Sequence, residues 1–108
     1  MHLGTKLIGD TLTFTRQTQN RSTGVAVDAD SVPTYRVYED ETTTPILTGS
    51  MALLDASNTD GWYSEQITLS TANGFEKGKS YSIRIADTVA TVAGAVGYNF
   101  AISPAGPF

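Results

Sequence analysis

Few residues in this chain have the means to do chemistry. The one histidine, His2, stands beside the first methionine. A Ser-His-Asp site would need that imidazole held rigidly between a serine and a carboxylate; the plainer expectation is an exposed, solvated ring. Cysteine is absent, which removes disulfides, thiolate catalysis and Cys-ligated metals together. The carboxylates offer two groups. Asp28 and Asp30 lie two apart beside a turn, and Asp55, Asn58 and Asp60 form the second. Calcium takes clustered oxygens of this kind. Neither spacing is that of an EF-hand loop, however, and solvated turn residues account for both groups equally well. The expectation is no metal and no cofactor. Most other acids fall in turns, so no pair is set across a cleft for glycosidic cleavage. Gly74, Gly78, Gly94 and Gly97 do not form a phosphate-cradling loop ahead of a helix. The inventory reads as that of a non-enzyme.

Charge and composition narrow the partners. The chain of 108 residues carries 11 acidic and 7 basic side chains, a net charge of -4 at pH 7. No two of the basic residues are adjacent, so no basic stripe can follow a phosphate backbone, and nucleic acid is not expected as a partner. The longest uncharged stretch begins at Thr88, but Gly94, Asn99 and Pro104 interrupt it and its apolar residues alternate. A bilayer-spanning helix needs about 20 predominantly apolar residues, so a soluble chain with no membrane partner is expected. The first eight residues lack the charged, apolar and small-residue regions of a signal peptide.

The elements that would position any site are β-strands. Val96 to Ile102 places large apolar residues at every second position, the period of a strand with one buried face. Thr11 to Arg16 alternates in the same way, with Leu12 and Phe14 inward. Pro33 opens a strand from Thr34 to Glu39 with Tyr35 and Val37 on one face; it should form a hairpin with Pro45 to Met51. Ala52 to Asn58 is ambiguous and has room for a short helical turn, and Asn58 to Gly61 is a turn. Trp62 to Leu69 reads as a strand with Tyr63, Ile67 and Leu69 inward. Glu65 falls on that same face, which calls for an edge position or a bulge. Ser70 to Phe75 suggests one helical turn ended by Asn73-Gly74. Tyr81, Ile83 and Ile85 alternate with Ser82 and Arg84, and Tyr81 to Ala86 pairs with Val96 to Ile102 through an Ala/Gly/Thr-rich segment with room for strand of its own. About seven short strands separated by turns predict one all-β domain over residues 1–108, an immunoglobulin-like antiparallel β-sandwich.

Aromatic residues and the two tails are the candidate contact points. Tyr81 opens a strand just after a Gly-containing turn, where sandwich folds place a structural tyrosine corner. Tyr38 and Trp62 fall on outward faces, where they either cover strand neighbours or anchor a contact. Leu3, Leu7 and Ile8 make the N-terminal arm (1–8) apolar. The C-terminal arm (103–108) contains Pro104 and ends on Phe108. Both arms either pack on their own domain or are held by a partner or a second copy of the chain.

Several segments together resemble small immunoglobulin-like proteins of tailed bacteriophages. These are Gly9-Asp10-Thr11-Leu12-Thr13-Phe14, the run Val27 to Glu39, Asp60-Gly61-Trp62-Tyr63 and Gly78-Lys79-Ser80-Tyr81. The resemblance covers roughly residues 9 to 102 and rests mainly on turns and strands. It implies a virion component, assembled in the host cytoplasm, that binds coat or tail subunits through sheet edges, loops and terminal arms and has no catalytic residues. Capsid decoration is the leading expectation, ahead of a tail or baseplate role. A carbohydrate- or cell-surface-binding module using Trp62 is the first rival and a small hydrolase dependent on His2 the second.

Overall fold

A computed structural model describes residues 2–104, His2 by its backbone only. Eight strands are present among them: β1 (His2–Lys6), β2 (Thr11–Gln17), β3 (Thr34–Glu39), β4 (Leu47–Ser50), β5 (Ala52–Leu53), β6 (Trp62–Thr68), β7 (Ser80–Val89) and β8 (Val92–Ile102). They form two open sheets, one of five strands in the order β1-β8-β7-β3-β4 and one of three in the order β2-β6-β5. The architecture is all-β and consistent with a β-sandwich. It departs from a purely antiparallel arrangement at one place, where β1 runs parallel to β8.

One core lies between the sheets. Leu12, Phe14, Tyr63 and Ile67 come from the smaller sheet, and Tyr35, Val37, Tyr81, Ile83, Ile85, Phe100 and Ile102 from the larger, all buried. These are the period-two positions of their strands, since alternate side chains must point to opposite faces. Phe14 and Tyr35 meet edge to face across the sheets at 5.1 Å. Tyr81 stacks on Phe100 at 5.4 Å, with Phe75 against both. The expected inward residues of β2, β3, β6 and β7 therefore all reach the core. The turn after β6 is also as expected. A 3-10 turn at Thr71–Asn73 begins at Ser70, whose side chain accepts from the Asn73 N–H, and ends at Gly74 with φ 95°.

Two local readings change. The residues 2–6 are a strand, which no alternation announces because Gly4 adopts φ 87° and the register slips between His2 and Thr5. Ala52 to Asn58 contains the short strand β5, which pairs with β6 at Ser64 and Tyr63 only. Glu65 then keeps regular register opposite Phe14, with no bulge. It lies just past the end of β5, on the side of β6 left open. The Ala/Gly/Thr-rich segment does contain strand, belonging to β7 and β8 themselves, which pair without interruption down to Val89 and Val92.

Candidate interaction surface

Two of the carboxylates singled out from the sequence, Asp28 and Asp30, hold backbone N–H groups. Asp28 accepts the Gly61 N–H at 2.7 Å. Asp30 accepts the N–H groups of Ala90 and Thr91 at 3.1 and 2.9 Å, and its own N–H donates to the Thr88 carbonyl. Asp30 thus holds the tip of the β7–β8 hairpin, and Asp28 joins the loop before β3 to the start of β6. Asp55 accepts from the Asn58 side chain at 2.9 Å within its own turn, while the Asp60 carbonyl accepts from Gln17. Among the described residues no three His, Cys, Asp or Glu side chains converge on a point that would hold a metal ion.

The aromatic candidates divide. The Tyr81 hydroxyl accepts the Glu76 N–H at 2.7 Å and donates to Glu39 at 3.0 Å. Burial, together with the neighbouring Glu39 and against the bond from the Glu76 backbone, pushes the phenol up to about 12. Tyr35 is in a similar state, also pushed up to about 12 by burial and by donating to Glu65 at 2.9 Å. Trp62 and Tyr38 are each half-buried on outward faces. Trp62 lies opposite Gln17, and its carbonyl accepts the Leu54 N–H. Leu54 is exposed.

The N-terminal candidates are spread over the domain itself. Leu3 and Ile8 pack against the core, and Leu7 is exposed. The Ser103 N–H donates to the Lys6 carbonyl, so both described ends run side by side. Pro104 is exposed and sits beside the Gly78 turn. Phe108 lies outside the described residues. The backbone of His2 pairs with Asn99.

Two arrangements of charge escape a reading of the sequence. The first is buried. Asp87 receives Arg16 Nε at 2.7 Å and Arg21 Nη2 on its other oxygen, and its side chain is fully enclosed. It occupies the core face of β7, in phase with Tyr81, Ile83, Ile85 and Val89, a phase that alternation alone could have supplied. Its cross-strand partner is Gly94, where a Cβ would collide with the Arg21 guanidinium. The missing side chain is what lets Arg21 reach in. The second arrangement is exposed. Arg36 on β3 and Arg84 on β7 stand directly opposite one another on the outward face of the five-stranded sheet. Only the pairing register reveals it, since the two are far apart in sequence. Among the described residues every buried side-chain polar atom has a hydrogen-bond partner.

Comparison of the chain with family profiles, with curated proteins and with solved structures finds no match.

Proposed function

We propose that this chain is an immunoglobulin-like structural protein of a tailed-phage virion, a decoration protein that binds repeated coat subunits, and that it works as a binding surface and not as an enzyme. The observation that carries the surface reading is the employment of its acids. Asp28, Asp30 and Asp87 are spent on backbone N–H groups and on two arginines, which leaves outward faces and edges as the parts free to act. Strand order supports the immunoglobulin-like part. In such domains the strands A, B, E and D face a sheet built on C, F and G; here β2-β6-β5, one strand fewer, faces a sheet centred on β3, β7 and β8, with β1 on the edge of that larger sheet. Tyr81 supports it too, since it stands second in β7, after the connection from β6, and its hydroxyl is tethered to backbone five residues upstream, as a tyrosine corner requires. The virion setting comes from the sequence resemblance.

A cryo-EM map of virions of the encoding phage tests the proposal. Density for this sandwich on the coat lattice is the expected result. Density confined to the tail or baseplate would move the protein there, and absence from the particle would overturn the virion setting.

A further inference from the structure

We propose that the outward face of the five-stranded sheet is a docking surface for a carboxylate-bearing segment of a partner protein, gripped by Arg36 and Arg84. The proposal rests on the reading of this chain as a binding surface, but not on its virion setting.

Register defines the face. One row across four strands reads Thr48, Arg36, Arg84, Gly97; the row on one side reads Ser50, Thr34, Ala86, Ala95; on the other side Tyr38, Ser82 and Asn99 follow. The two arginines are the charged residues in these rows, and no carboxylate stands among them. Both are exposed. The ion pairs among the described residues are those on Asp87, so neither Arg36 nor Arg84 has an acidic partner there. Arg36 Nη1 lies 3.5 Å from the Tyr38 hydroxyl, at the limit of a hydrogen bond. Two shallow depressions meet at Thr34. One is lined by Arg84, Ala86 and Ala95, the other by Arg36, Thr48 and Ser50.

Like charges directly opposite on an antiparallel pair are about 5 Å apart at Cβ and destabilise the sheet. A molecule with net charge -4 has four more acids than bases, and yet these three rows hold none to relieve the repulsion. A carboxylate from outside relieves it. Guanidinium is a planar fork suited to bidentate carboxylate binding. An extended segment with acids two residues apart presents both on one side at a spacing of about 7 Å, which two neighbouring arginines can span. The flanking Ala, Ser, Thr and Gly positions keep the approach low. A second copy docked face to face by symmetry would bring arginine against arginine, so self-pairing through this face is disfavoured. A long phosphate backbone would gain only two cations here and meet a negative molecule around them.

The test is NMR titration of the isotope-labelled full chain with a synthetic heptapeptide alternating Glu and Thr, beside its Gln counterpart. Shifts centred on Arg36, Arg84, Thr34 and Ser82 are expected with the Glu peptide, weakening as salt rises from roughly 0.05 to 0.3 M. In the R36Q/R84Q variant the apparent affinity should fall by about tenfold or more, while its melting temperature should stay level or rise because the repulsion is gone. No shifts on this face, or equal binding of the Gln peptide, would overturn the proposal. So would equal shifts with inorganic phosphate or a single-stranded oligonucleotide, or self-association of the chain that R36Q/R84Q abolishes. Virion composition is read separately. A chain present in particles that ignores the Glu peptide sinks the docking face alone; peptide binding by a chain absent from particles sinks the virion setting alone.

Discussion

Asp87 shows how a single side chain can tie the two layers together. It sits on β7 in the larger sheet, yet it holds Arg16 from β2 in the smaller one and Arg21 from the loop that follows. An enclosed carboxylate is costly to desolvate, and two charge-assisted hydrogen bonds offset that cost only while both arginines remain in place. Asp87→Asn keeps the shape and removes the charge, leaving two guanidiniums against a neutral amide. A loss of about 3 kcal/mol in unfolding free energy is expected, read from urea denaturation midpoints. Arg21→Gln should cost less, about 1 kcal/mol, because its side chain keeps 29% of its exposure and water can take over part of its role. Equal losses for the two variants would mean that the loop, and not the link between sheets, depends on this cluster. Gly94→Ala probes the same contact from the opposite strand, since the new methyl would displace Arg21.

The β7–β8 hairpin is the element with the greatest conflict between local preference and global structure. Its two-residue turn places Ala90 at φ 48° and Thr91 at φ 66°. Such turns favour Asn-Gly because both residues need positive φ, and a β-branched residue there is strained. Asp30 compensates from outside the hairpin by accepting both turn N–H groups. Replacing Ala90-Thr91 by Asn-Gly should therefore raise stability by about 1 kcal/mol, a gain of several degrees in melting temperature. Asp30→Ala should cost about 1–2 kcal/mol in the parent and less in the Asn-Gly variant, a coupling that a double-mutant cycle measures. The same element marks the limit of what sequence periodicity reveals. Tyr81, Ile83 and Ile85 announce β7, and Leu12 with Phe14 announces β2, because large side chains alternate with small ones. Ala93, Gly94 and Ala95 carry no such contrast, so their place in β8 comes from pairing with β7. Leu3, Gly4 and Thr5 are silent for a similar reason, a glycine with positive φ having broken the phase. The candidate surface was less legible than the strands. Trp62 and Tyr38 can be assigned to outward faces from alternation, but Arg36 and Arg84 become neighbours only once β3 and β7 are set in register.

Over the whole molecule, two tyrosine–glutamate bonds make stability depend on pH at the alkaline end. Tyr35 reaches from β3 in the larger sheet to Glu65 on the open side of β6 in the smaller, and its ring lies over Gly49, where a Cβ would clash with it. Tyr81 joins β7 to Glu39 at the end of β3. Both phenols are pushed up to about 12, by burial first and by the adjacent carboxylates second, with the Glu76 backbone bond opposing this at Tyr81. An unfolded tyrosine ionises near 10. Below that value both states keep the neutral phenol and the contribution is fully present. Between about 10 and 12 the unfolded chain loses the two protons while the folded chain retains them, so unfolding becomes progressively easier. The loss should grow steadily across that window as the unfolded phenols ionise ahead of the folded ones. Urea denaturation at steps from pH 9 to 12, with tyrosinate absorbance followed in the same samples, should show the midpoint falling as ionisation appears. Tyr35→Phe should be less stable than the parent at pH 8, because Glu65 loses its donor, and should show roughly half the alkaline loss. A parent midpoint that stays flat to pH 12, or a Tyr35→Phe variant that loses as much as the parent, would show that these two hydroxyls do not link the sandwich to pH.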